Sequence, residues 1–227
     1  MLLKKNLIPI IIAGLIALLI IFYLFQGADT GVVYKKLPIL GNHKLDTIMV
    51  DNKIKLDTIW HRIPDFSFLN QDGNEITQKN VEGKIYVVDF FFTTCKTICP
   101  VMSDEMNRVY QAFLNDPEVL ILSHTVDPDT DQPVQMKSYA KQFDARSDKW
   151  MFLTGDKAAL YAIARKGYLL EASVGTGGPT DFIHTQNFAL IDHKRRIRGI
   201  YDGLEPEEIN MLIKDIKSLK LELKRNG

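Results

Sequence analysis

Cysteine is nearly absent from this sequence. Cys95 and Cys99 are the only two in 227 residues, set in F-F-F-T-T-C-K-T-I-C-P at positions 90–100. So few thiols exclude a fold that depends on disulfide staples, because such domains carry many bridges. C-x-x-C is missing as well, which removes the usual dithiol redox spacing. Net charge is also missing: 28 basic residues offset 28 acidic ones, so no global field selects nucleic acid or an acidic ligand. The Gly-rich stretch V-G-T-G-G-P-T (174–180) lacks G-K-[ST], so it is no Walker-type phosphate cradle and reads as a surface loop.

One long segment lacks charge altogether. Leu7 to Phe25 reads L-I-P-I-I-I-A-G-L-I-A-L-L-I-I-F-Y-L-F, and nineteen helical residues span about 28 Å, close to the hydrocarbon thickness of a bilayer. A cleaved signal peptide has a shorter apolar core followed by small residues. Here Phe22, Tyr23 and Phe25 occupy that place, and no cysteine follows to carry a lipid. Lys4 and Lys5 precede the run and Asp29 follows it, which sets the N-terminus in the cytoplasm. The expectation is a retained single-pass anchor over residues 1–26, with the C-terminal domain on the outer, periplasmic side of the cell membrane.

Residues 27–60 show no clear period and read as a linker or extension that adds a strand near Thr47–Val50. The domain proper, 61–227, opens with Phe66 and Phe68 alternating with polar residues before an Asp72-Gly73 turn. K-I-Y-V-V-D-F-F-F (84–92) is a strand covered on both faces. Pro100 suits the first turn of a helix, with Val101, Met106, Val109, Tyr110 and Phe113 at helical spacing. Further strands are expected at 119–126 and 150–154 and a hairpin at 187–201. Further helices are expected from Pro133 to Phe143, from an Asp156 cap to Gly167, and from Pro206 with Ile209, Leu212, Ile213, Ile216 and Leu219 on one face. Strand–helix alternation, then a hairpin and a closing helix, is the order of an α/β domain with a thioredoxin-like fold.

Cys95 falls just past the central strand and Cys99 at the entrance of the next helix. Ligand sites of open α/β sheets lie outside the carboxyl ends of strands, and a helix N-terminus favours the thiolate. As a staple, so short a loop contributes roughly 2 kcal/mol, minor for a domain of this size. As a redox pair, it has three intervening residues where two are usual. As a metal site, it needs a third donor, and five histidines are available. His43 and His61 fall in or beside the extension and read as solvent-exposed. His193 lies in H-K-R-R at a hairpin tip, a solvated turn. His124 ends a buried strand as a core histidine. His184, in T-D-F-I-H-T-Q-N-F, could reach the thiols or cap the next strand, and its spacing alone does not select it.

With these motifs in order, the chain resembles the SCO/SenC proteins, membrane-anchored copper chaperones for cytochrome c oxidase assembly. The stretches that carry the resemblance are the anchor, I-P-D-F-S-F…Q-D-G, C-x-x-x-C-P at 95–100, V-D-P-D-T-D at 126–131 and D-F-I-H-T at 181–185. The resemblance implies that Cys95, Cys99 and His184 bind one copper ion and that the two cysteines also form a redox disulfide. Two positions depart from the family pattern. Lys96 stands where proline usually follows the first cysteine, and Ile183 stands where an aspartate usually precedes the histidine, with Asp181 nearby to take its part. Thiolates suit Cu(I) and imidazole suits Cu(II). Zinc is the rival metal for two thiolates and an imidazole, but no hydrolytic base accompanies it.

The function this implies is a metallochaperone that delivers copper to the dinuclear copper centre of the oxidase, and whether it is also an enzyme stays open. Its partners would be the copper-bearing subunit and a copper donor or thiol reductant outside the cytoplasm, with no nucleic acid. The alternative is a thiol–disulfide oxidoreductase that keeps the oxidase's copper-ligand cysteines reduced, and a third reading is a copper- or redox-sensing protein. Met102 and Met106 read as core residues before auxiliary ligands. Asp127 and Asp129 read as turn residues that could shape the site.

Overall fold

The computed structural model describes residues 14–17, 36–50, 53–170 and 185–226. The chain forms two compact units, Met1–Lys35 and Lys36–Gly227. In the first, Gly14 to Ala17 are helical and the rest of the apolar run lies outside the described residues. Among the described residues no helix is long and apolar enough to cross a membrane. The Gly-rich loop, Asp181, Ile183 and His184 also lie outside them.

In the second unit the elements run β1 (His43–Val50), β2 (Lys53–Trp60), β3 (Ser67–Asn70), β4 (Glu75–Thr77), β5 (Ile85–Phe91), α1 (Ile98–Ala112) and β6 (Val119–Thr125). Then follow α2 (Pro133–Ala140), β7 (Trp150–Thr154), α3 (Lys157–Ala162), β8 (Asn187–Ile191), β9 (Ile197–Asp202) and α4 (Pro206–Asn226). Among the described residues seven strands make one sheet in the order β4-β3-β7-β6-β5-β8-β9, and β1 and β2 pair only with each other. The central β5, β6 and β7 are parallel neighbours. β8 runs antiparallel to β5, and β9 antiparallel to β8. This is the mixed α/β architecture expected from the sequence.

All seven residues of β5 are buried, because helices cover both of its faces. Ile85, Val87 and Phe91 point into a core with Met102 and Met106 of α1, Trp150 of β7 and Leu212 and Ile216 of α4. Tyr86, Val88 and Phe90 point the other way, onto Phe66, Phe68, Leu160 and Ile163. Met102 and Met106 are core residues, as their spacing suggested. Asp156 caps α3 through Ala159 N–H at 2.8 Å. The helix ends in one π-helical turn, Ile163–Gly167.

Four particulars differ from the sequence reading. The extension forms two eight-residue strands where one short strand was expected. His61 is held, its Nε2 lying 2.6 Å from the Gly167 carbonyl. The H-K-R-R turn is paired and not merely solvated: Arg195 meets Asp65 at 2.5 Å and Arg196 meets Asp192 at 2.8 Å. His124 is fully buried among Phe66, Phe68, Phe90 and Tyr168. Burial pushes its imidazole down to about 3. Its Nε2 reaches the Tyr168 hydroxyl at 3.2 Å, while its Nδ1 has no hydrogen-bond partner among the described residues.

One buried cation ties the start of this unit to its end. Arg198 of β9 donates to the carbonyls of Pro38 (2.9 Å) and Leu37 (2.7 Å), to Asp192 (3.0 Å) and to Glu222 of α4 (2.8 Å). A guanidinium that is 2% exposed is stable only with its charge and its donors matched in this way.

Candidate metal centre

The thiols sit where β5 ends and α1 begins. Thr97 is the N-cap of α1, with φ −110° and ψ −87°, and its side chain makes no cap hydrogen bond. The first N–H groups of a helix need an acceptor, and here the Cys95 sulfur takes the backbone N–H of Thr97 and of Cys99. The Thr97 hydroxyl lies 3.6 Å from the same sulfur. A tight turn positions Cys95, whose N–H donates to the Phe92 carbonyl at 3.2 Å.

The two thiols are free and unequal. Cys95 is half-buried and Cys99 is buried. Burial works against ionisation of Cys95, but the Cys99 S–H and the two backbone N–H groups donate to its sulfur and bring it down to about 7. Burial pushes Cys99 up, and its hydrogen bond to the Cys95 sulfur adds to the effect, to about 12. One sulfur is therefore a ready thiolate, and the other holds its proton until something replaces the hydrogen bond it donates.

Behind the pair lies a buried polar layer. Asp89 of β5 accepts the Ser123 hydroxyl at 2.5 Å, and that hydroxyl in turn accepts the Trp150 indole N–H at 2.8 Å. Burial raises the Asp89 carboxyl to about 7. Tyr139 of α2 meets the Ser103 hydroxyl of α1 at 2.7 Å. Burial pushes this phenol up to about 12, with the thiols and Asp89 adding to the rise.

The V-D-P-D-T-D turn contributes one residue that the sequence reading passed over. Asp131, wholly buried, accepts the Thr93 N–H at 3.1 and 3.2 Å, the Thr93 hydroxyl, and the Thr125 hydroxyl at 2.5 Å. It thereby ties the loop that leads into Cys95 to the end of β6. Asp129 is exposed. Asp127 serves as a turn residue, its N–H bound to the Thr125 hydroxyl at 2.9 Å and its carbonyl accepting the Asp131 N–H at 2.8 Å. The signal in the sequence was the position of Asp131 at the end of its motif, just before the α2 start at Gln132-Pro133.

As a donor set, these residues make half a metal site. Two thiol sulfurs in mutual contact, one inclined to the thiolate, fit a soft ion. Among the described residues no group of three or more His, Cys, Asp or Glu could hold a metal. His184 is one residue before Thr185, where the described chain resumes toward β8. The start of β8 lies at the thiol end of β5, because the two are antiparallel neighbours.

Comparison with known proteins gives these observations a family. A model of the SCO1/SenC family matches residues 60–220. The SCO1 protein homolog of Bacillus subtilis (strain 168) is 30% identical over 195 residues, which are 85% of this chain and 95% of that protein. Among solved structures, BsSco is described as a member of the Sco family of cytochrome c oxidase assembly proteins in which a disulfide switch was identified. It is 31% identical with a TM-score of 0.59, over 70% of this chain and 93% of that one. ScoI of Bradyrhizobium japonicum, solved with copper bound, is 28% identical with a TM-score of 0.55, over 68% of this chain and 99% of that one. With the thiol pair at the end of the central strand and a family match spanning the whole α/β sheet, the chain belongs to the SCO1/SenC family.

Proposed function

We propose that this chain is a membrane-anchored copper metallochaperone. Cys95, Cys99 and His184 hold one copper ion, which passes to the dinuclear copper centre carried by a subunit of cytochrome c oxidase. Leu7–Phe25 anchors the chain, and the domain works outside the cytoplasm, where a copper donor or thiol reductant loads it. The observation that supports this most directly is the hydrogen-bonded pair of unequal thiols at the start of α1. Cys95 offers a thiolate to an incoming ion, and Cys99 gives up its proton as the ion takes over the contact. The copper-bound relative supports the choice of metal. Asp131 fixes the approach to Cys95 through Thr93, so the site is held rigidly on the β5 side.

The same asymmetry favours a second activity, thiol–disulfide exchange. The Cys95 thiolate would attack a disulfide of a partner and release one partner thiolate. Cys99, on losing its proton, would then attack Cys95 in the mixed disulfide and release the second. The partner gains two electrons and the Cys95–Cys99 pair becomes a disulfide. A relative with a disulfide switch is consistent with this chemistry.

His184→Ala separates the two. Metal analysis of the reduced full chain offered copper and zinc together should recover one copper. In the variant, Cu(II) binding and its thiolate-to-copper absorption should be largely lost and Cu(I) binding only weakened, because two thiolates still coordinate Cu(I). Reduction of a model disulfide should barely change. Intact Cu(II) spectra with lost exchange would reverse the order of the two readings.

A further inference from the structure

Among the described residues, the β1–β2 ribbon holds the most exposed apolar side chains of the Lys36–Gly227 unit. Leu45, Met49, Ile54 and Leu56 are 68%, 73%, 74% and 74% exposed. In the ribbon Leu45 pairs with Thr58, Thr47 with Leu56 and Met49 with Ile54. Side chains alternate along a strand and directly paired residues share a face. Leu45, Met49, Ile54 and Leu56 therefore lie together on one side with Thr47 and Thr58. The His43–Trp60 ring pair closes that side at the root, with centroids 5.1 Å apart. A two-stranded ribbon left this exposed by the described residues is marginal in water, and an apolar stripe this open marks a surface that something covers.

Size and charge narrow the occupant. Eight residues by two strands present a face about 27 Å by about 10 Å, roughly 270 Å², a third of the ~800 Å² per partner of a stable protein–protein interface. That is too little to hold a second copy. Lys44, Lys53 and Lys55 balance Asp46, Asp51 and Asp57 in sequence, so the ribbon carries no net charge to steer a charged partner.

The neighbouring sequence supplies what is left. Only 17 residues separate Phe25, the end of the uncharged run, from His43, and at full extension they reach at most about 60 Å. A bilayer entered by Leu7–Phe25 is therefore always within the ribbon's range. The ribbon is rooted at the end of the sheet away from the thiols. Leu40 bridges to Ile197 at the start of β9 and Ile63 N–H bonds the Arg195 carbonyl. β9 runs in the same direction as β5, since both are antiparallel to β8. Its start thus lies where β5 begins, and Cys95 follows where β5 ends.

We propose that the apolar face of the β1–β2 ribbon, formed by Leu45, Met49, Ile54 and Leu56, seats in the interfacial layer of the lipid bilayer, with the thiols directed off the membrane. This rests on the anchor reading of Leu7–Phe25. The seat is a second, reversible contact made by apolar side chains without help from charge, an interfacial mode distinct from spanning.

The test uses the full chain reconstituted in phosphatidylcholine vesicles. The chain has two tryptophans; Trp150 is fully buried and Trp60 sits at the ribbon's root. Leu56→Trp in a Trp60→Phe background puts a reporter on the proposed face. Its emission should shift to the blue, and lipids brominated near the headgroup should quench it several-fold. Adding Leu45→Asp and Met49→Asp should abolish the quenching without changing the melting of the domain. Trp60 of the unmodified chain gives the same readout if the reporter variant does not fold. Quenching should be insensitive to high salt and to added phosphatidylglycerol. Emission as in water, quenching that requires the anionic lipid, or concentration-dependent cross-linking through the ribbon would each overturn the proposal. Extraction of the chain by alkaline carbonate would refute the anchor separately, and the ribbon's quenching would still decide the ribbon.

Discussion

Strand β5 and the β1–β2 ribbon are built from similar residues and end in opposite surroundings. β5 reads I-Y-V-V-D-F-F, and even its aspartate is buried. The ribbon reads H-K-L-D-T-I-M-V and K-I-K-L-D-T-I-W, yet Leu45, Met49, Ile54 and Leu56 stand in the open. Both have β-branched and apolar residues in extended backbone. The difference is what lies beside them: β5 has β6 and β8 on its edges and a core on each face, while among the described residues each ribbon strand pairs only with the other. Apolar composition supplies the drive to leave water, but burial also requires a covering element.

A matched pair of substitutions puts the largest effect on this contrast. Leu122 of β6 is fully buried in the same core as Val88, so Leu122→Ala should destabilise the domain by about 2–5 kcal/mol in denaturant unfolding. A value near zero would mean that the core face collapses around the gap and the contrast with the ribbon is false.

A smaller effect, of a few kcal/mol at most, should come from the one carboxylate inside β5. Burial raises the Asp89 carboxyl to about 7, whereas the unfolded chain releases that proton near the ordinary aspartate value of 3.8. Between these values the folded state keeps a proton that the unfolded state has lost, so Asp89 makes stability fall as pH rises through that window and level off above it. Asp89→Asn should flatten this slope when unfolding is compared at about pH 5 and about pH 8. An unchanged slope would assign it to another group.

The smallest effect belongs to the ribbon. Leu56→Ala should change domain stability by no more than about 0.5 kcal/mol in water, as for surface substitutions generally. A loss comparable to that of Leu122→Ala would show that the ribbon is covered by the domain itself.

What was legible in the sequence was what repeats locally. The β5 run, the alternation at Phe66 and Phe68, the Asp72-Gly73 turn with Gly73 at φ +77°, and the α1 and α4 faces each fall within one element. The thiol pair stood out because nothing else in the chain carries sulfur as a thiol. What escaped depends on distant partners. Asp131 reaches Thr93 across 38 residues, His61 reaches Gly167 across 106, and Arg198 reaches Leu37 across 161. No period or spacing encodes such contacts. The second ribbon strand was missed for another reason: the alternation of Lys53, Lys55 and Asp57 with Ile54 and Leu56 is short, and Thr58-Ile59-Trp60 breaks it.

Arg198 has a mechanical consequence. A pull on the chain from its N-terminal side meets Leu37 and Pro38 before it meets β1, and both carbonyls are gripped by one guanidinium that is also fastened to Asp192 and to Glu222 of the last helix. The load path therefore runs from the leading segment into the β8–β9 turn and α4. The ribbon lies downstream, closed off as a side loop by the His61 N–H bond to the Asn42 carbonyl at 2.9 Å. Tension at the leading end is borne by ion pairs and carbonyls at the β9 edge of the sheet, two strands away from β5 and the thiols that follow it.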